Sequence, residues 1–261
     1  MKYKFLYILI FLSLGCTNQP ASPISNPKAS IKLEPQNPID SLKKNQIRNL
    51  KSLSLINNNH SYEETKRDIE NQLAKLKSLN LNLDSISKIF KTSLVNRIIP
   101  YWEGTTWSFE GHTSEPKKGE IACGYFVSTT LRDVGLNINR YKLAQQSPVN
   151  EARSLAVSSA VHTISKNTTI EKVNAINEIL EPGIHFIGLD QSHVGYILKE
   201  KDLLYLIHSN YLEPHSVEIE LLEDSEVFKS YSKFYIVELS SNKELMTRWL
   251  NTTEIETIKS Q

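Results

Sequence analysis

The chain has 261 residues, with 30 Lys and Arg against 29 Asp and Glu, a net charge of +1 and 39% hydrophobic residues. That length and apolar content suffice for one good-sized domain with accessory segments. A balanced charge without a Lys/Arg cluster excludes an electrostatic nucleic-acid binder, and no internal repeat is present.

Residues 1–16 open with Met1-Lys2-Tyr3-Lys4, continue as an apolar run from Phe5 to Leu14, and close on Gly15-Cys16. A basic start, a short apolar run and a small residue before a cut are the parts of an export signal, and the run is too short to span a bilayer. Leu12-Ser13-Leu14-Gly15-Cys16 resembles a bacterial lipobox in which Ser13 and Leu14 have changed places. The expectation is a lipidated Cys16 that anchors the mature chain to a bacterial membrane in the cell envelope, facing the periplasm or exterior. An ordinary secretory signal cleaved nearby is the alternative. Residues 17–42 carry Pro20, Pro23, Pro27, Pro35 and Pro38 and few large apolar side chains, so they read as a disordered tether.

Residues 43–99 read as a helical extension. Ser61-Tyr62-Glu63-Glu64 offers a capping start, and Ile69, Leu73, Leu76 and Leu79 keep one face apolar. Asp84 opens a second helix with Ile86, Ile89, Phe90, Leu94 and Ile98 inward, expected to stop at Pro100. The segment Tyr101 to Thr113 then interleaves aromatic residues with glycines, the texture of a binding rim; Trp107 is expected in the site, while Trp102 and Phe109 serve equally well as core plugs.

In Gly119-Glu120-Ile121-Ala122-Cys123-Gly124 a lone cysteine precedes a helical pattern of Phe126, Val127, Thr130, Leu131 and Val134 that ends at Gly135. Cys123 therefore opens a core helix, where unpaired backbone N–H groups and the helix dipole favour a thiolate. A small buried hydrophobe is the plainer use of a free cysteine. Only two cysteines exist; with lipid on Cys16, Cys123 stands unpaired in an exported protein and becomes a candidate nucleophile.

A helix is expected from Ser147-Pro148 through Ile164, with His162 capping or solvated, and another from Thr169 to Leu180. From Gly183 the period becomes strand-like: residues 184–189, 193–198, 203–208, 216–222 and 233–239. Five short strands with hairpin-length links imply an α+β fold, a central antiparallel sheet packed against the cysteine helix. His193 opens one strand and His208 closes the next, so antiparallel pairing brings both to one edge. Cys123 would give its proton to His193, and His208 would fix that ring's tautomer. No C-x-x-C or H-E-x-x-H pattern is present, so neither a metal nor a cofactor is expected.

Gly104-Thr105-Thr106-Trp107-Ser108-Phe109-Glu110-Gly111, Ala122-Cys123-Gly124-Tyr125-Phe126-Val127, His193-Val194-Gly195-Tyr196-Ile197 and Leu206-Ile207-His208-Ser209 occur in an order that resembles the NlpC/P60 family of papain-like cysteine peptidases. The resemblance covers residues 100–240 and implies a papain-like NlpC/P60-type fold. It also implies a cysteine hydrolase in which Cys123 is the nucleophile, His193 the general base and His208 the orienting residue. Trp107, Gly124 and Ser192 are the expected substrate-binding residues, and the implied substrate is a peptide such as the stem of peptidoglycan. Trp107 stands at the family's tyrosine position, Ala122 replaces its aspartate and Gly124 its serine. An amidase or deacylase on the same scaffold, or a non-catalytic peptidoglycan-binding lipoprotein, are the alternatives. Residues 241–261 read as a C-terminal helix or tail.

Overall fold

A computed structural model describes residues 60–79 and 81–258. The expected signal, the lipidation site Cys16, the tether and the start of the helical extension lie outside them. Among the described residues no helix is long and apolar enough to cross a membrane.

Six antiparallel strands form one open sheet: β1 (His162–Ser165), β2 (Gly183–Leu189), β3 (His193–Glu200), β4 (Leu203–Ser209), β5 (Val217–Leu221) and β6 (Lys233–Glu238), in the order β1-β6-β2-β3-β4-β5. β2 is buried along its whole length because helices cover both faces of the sheet, and its continuous apolar run reflects that. β5, at the edge, alternates buried Val217, Ile219 and Leu221 with half-buried Glu218 and Glu220.

On one face lie α1 (Tyr62–Leu76), α2 (Leu83–Thr92), α4 (Cys123–Asp133), α6 (Pro148–Ala156) and α9 (Lys243–Asn251), sharing a core with Phe186, Val194, Tyr196, Leu198 and Ile207. On the other, α7 (Thr169–Ile179) and α8 (Glu226–Ser230) pack Ile176, Val227 and Phe228 on Ile187, Ile197, Leu206 and Phe234. The short helices α3 (Ile99–Trp102) and α5 (Arg140–Ala144) complete the first layer. The helical extension belongs to this core: Trp102 Nε1 donates to the Tyr62 hydroxyl at 2.8 Å, which donates to Asp133 of α4 at 2.7 Å. Ser61 supplies the expected capping box of α1.

Three expectations are corrected. Pro100 does not stop the second helix. Ser93–Ile98 widens into a π-helical turn, and Pro100 falls in the first turn of α3, where its missing N–H leaves no bond unmade. The helix from Pro148 ends at Ala156 and not at Ile164: Val157 takes a φ of 55°, and Asn242 donates to the Ala156 carbonyl and to Ser159 Oγ. His162 then opens β1, 4.0 Å from Glu238, so it neither caps a helix nor stands free, and the sheet has six strands where five were expected.

Candidate active site

Register and sheet edge bring the site together. The β3–β4 ladder runs from Glu200↔Leu203 to Tyr196↔Ile207 and stops there. Past that point Ser209 Oγ donates to the Ile121 carbonyl at 2.7 Å, tying the chain just before Cys123 to the end of β4. The Val194 N–H, outside the ladder to β4, stands near enough to the Cys123 sulfur to hold the thiol's pKa down. The start of α4 thus takes the place of strand pairing, and Cys123 meets the first residues of β3.

Ala122 is the N-cap of α4 and its side chain makes no capping bond, so nothing competes for the first N–H groups of the helix. The Cys123 and Gly124 amides, like that of Val194, hold the thiol's pKa down. Burial acts the other way and is stronger: together with nearby Glu151 it pushes the thiol up to about 11. Cys123 as a residue is only half-buried, so solvent screens part of that push. The thiolate expected from the helix start is therefore not the resting form. The neutral thiol needs a base beside it.

His193 and His208 are fully enclosed, and His193 Nε2 lies 2.8 Å from His208 Nδ1 with the rings perpendicular. His208 Nε2 lies 3.0 Å from Glu220 Oε1 and 3.9 Å from Glu218 Oε1. A carboxylate only accepts, so the chain of tautomers follows. His208 Nε2–H donates to Glu220, His208 Nδ1 is bare and accepts His193 Nε2–H, and the lone pair of His193 falls on Nδ1. That nitrogen is the one left to take a proton. Burial pushes His193 well below the ordinary imidazole value and His208 down to about 3, so both stay neutral at neutral pH. Gly195 makes the pairing possible, because a Cβ there would stand 2.8 Å from the Ile207 carbonyl oxygen and 2.9 Å from His208 Cβ.

The two histidines alternate with Val194, Tyr196 and Ile207, whose side chains face α4. The rings therefore stand on the opposite face of the sheet from the body of the cysteine helix. This corrects the expectation that the rings would face that helix.

Trp107 lies on the loop beside β5, against Tyr211 and His215. Gly104 N and Trp107 N donate to the Val217 and His215 carbonyls at 2.8 Å each, stitching the aromatic loop along the outer edge of β5. The indole lies 6.1 Å from the Tyr211 ring, which meets His193 edge-on at 5.2 Å. Ser192, exposed at the head of β3, shares a hydrogen bond of 2.9 Å with the Tyr231 hydroxyl. Trp102 is a core residue, while Phe109 is 80% exposed. Gly124 is buried, and a Cβ on it would stand 2.6 Å from the Ala144 carbonyl oxygen, so it packs closely against α5 with its amide toward the sulfur.

Sequence reading missed Glu220, Tyr211, Tyr231 and Glu151. The alternation of β5 marks Glu218 and Glu220 as sharing a face, but only the register His208↔Glu218 places them under His208. Glu151 of α6 is 1% exposed, its Oε1 has no partner, and burial pushes its carboxyl well above the ordinary carboxylate range. His208, Glu218 and Glu220 hold ligand atoms within 4.8 Å of one another, a set that could take a cation, although the hydrogen bonds to His208 and Asn210 already account for their positions.

No protein-family model matches the chain, and a search of curated proteins found no match.

Proposed function

We propose that the chain is a cysteine hydrolase that cleaves an amide through an acyl-enzyme. The reading rests above all on the Glu220–His208–His193 chain, which leaves a bare Nδ1 on His193, one residue from the Val194 amide that lowers the pKa of the Cys123 thiol. Sγ passes its proton to Nδ1 and attacks the carbonyl carbon. The helix-start amides of Cys123 and Gly124, left free by the uncapped Ala122, then hold the oxyanion. His193, now protonated, gives that proton to the leaving nitrogen, and water taken up by the same base releases the acid. Burial disfavours either charge alone, and forming thiolate and imidazolium together limits that penalty.

By resemblance to NlpC/P60 peptidases the substrate is a cell-wall peptide, and Cys16 would hold the enzyme at the envelope by lipid. An amidase or deacylase is the variant on the same scaffold. The upward push on the thiol favours a different reading, a peptidoglycan-binding lipoprotein without turnover. A binder, however, has no use for a carboxylate that fixes two imidazole tautomers. Digestion of purified peptidoglycan with mass spectrometry of the products tests the proposal. New amine termini are expected, and Cys123→Ala should abolish them while leaving the melting temperature unchanged. Products that persist in that variant would end the reading.

A further inference from the structure

Beside His193, and not used in the chemistry above, three hydroxyls form a connected set. Tyr211 Oη donates to Tyr231 Oη at 3.2 Å, and Tyr231 Oη shares its 2.9 Å bond with Ser192 Oγ. Tyr211 sits edge-on against the catalytic imidazole, Ser192 precedes it in the chain, and Trp107 extends the aromatic wall beyond Tyr211. Tyr231 stands close enough to the nucleophile to feel its charge, and burial pushes its hydroxyl up to about 12, so it is a neutral donor and acceptor at working pH. None of the four side chains is charged. In the adjoining loop Glu213 and His215 contact each other at 3.4 Å.

In acyl transfer the imidazole protonates the leaving nitrogen, so whatever lies against the free side of His193 touches the leaving group. Resting on the hydrolase reading, we propose that Ser192, Tyr211, Tyr231 and Trp107 form the leaving-group subsite, and that it takes an amine whose body is uncharged and hydrogen-bonding. A carboxylate or ammonium placed there would lose water without meeting an opposite charge. Three hydroxyls that can each turn to donate or accept suit amide and hydroxyl groups, while Trp107 offers a flat apolar contact.

Aminolysis tests this without knowledge of the acyl substrate. p-Nitrophenyl acetate acetylates the Cys123 sulfur with loss of nitrophenolate, and an added amine can then compete with water for the thioester. The amine nitrogen forms the C–N bond, the C–S bond breaks, and the amine proton passes through His193 to the sulfur. Intact mass measures the acetyl-enzyme, and chromatography measures the N-acetyl products from serinamide, glutamate and lysine at equal concentration of free amine. Serinamide should capture the acyl group with saturation and about tenfold ahead of the other two, as expected when a charged body forfeits a hydrogen bond or more. Tyr231→Phe and Ser192→Ala should each reduce that preference severalfold. Acetylation of the wild type with equal capture of all three amines, or an unchanged preference in both variants, would overturn the subsite and leave the hydrolase standing. Acetylation no greater than in Cys123→Ala would remove both.

Discussion

The β3–β4 hairpin has two ends that differ. Toward its turn the register is unbroken from Tyr196↔Ile207 to Glu200↔Leu203, whereas at the other end the pairing lapses and the start of α4 fills the gap. Each end has a fully buried histidine nearby. His185, on β2 toward the closed end, shares its Nε2 with the Glu181 carbonyl at 3.0 Å, and its Nδ1 has no partner. His208, toward the open end, has an imidazole on one nitrogen and a carboxylate on the other. Burial lowers both, His185 to about 4 and His208 to about 3, so the shift alone does not tell them apart. The partners do. A ring held by one backbone carbonyl is packed, and a ring held between two titratable groups can pass a proton's influence along.

The comparison breaks most sharply at the base. His193→Ala should lower kcat/KM by about a hundredfold to ten-thousandfold, the range of a general base. His185→Asn should leave it unchanged, and steady-state kinetics on the same substrate reads both. Next comes Glu220→Gln. A carboxamide can donate as well as accept, so His208 loses its fixed tautomer, and kcat should fall about tenfold to a hundredfold with little change in KM. An unchanged kcat would reduce Glu220 to packing. Gly195→Ala should cost about 1–3 kcal/mol of stability, because the new methyl overlaps the Ile207 carbonyl and His208 Cβ, and it should lower kcat as His208 shifts. Denaturant unfolding and kinetics on one preparation check the two together.

The smallest effect concerns pH. Burial raises the folded pKa of Glu151 well above its unfolded value, so it lowers stability progressively as pH rises past the ordinary carboxylate range. Glu151→Gln removes that loss. Its melting temperature should gain on the wild type between pH 5 and pH 8, and thiol alkylation at alkaline pH should quicken because Glu151 is one cause of the raised Cys123 pKa. The three buried histidines act oppositely, their folded values lying below the unfolded one, so both proteins should lose stability as pH falls below about 6.5.

Local order was legible in the residues. The period of Phe126, Val127, Leu131 and Val134 marks α4 and sets Cys123 at its first turn, and the short, strand-like apolar runs after Gly183 mark β2, β3 and β4. Antiparallel pairing of adjacent strands was enough to bring His193 and His208 to one edge. Boundaries were less legible where a distant partner decides them: Asn242, over eighty residues away, ends α6 at Ala156, and a π-helical turn carries the chain through Pro100.

Periodicity records which side of an element is apolar, so the sequence by itself determined α4, the strands after Gly183, the place of the thiol and the kinship of the two histidines, but not β1, whose residues read as helix. Which charges stand near one another depends on register, edges and the packing of remote helices. Only the tertiary structure put Glu220 under His208, Tyr211 and Tyr231 beside His193, and the buried Glu151 near the sulfur. It also decided that the thiol rests neutral, because the dehydration that raises its pKa is a property of the closed fold and not of the residues next to it in the chain.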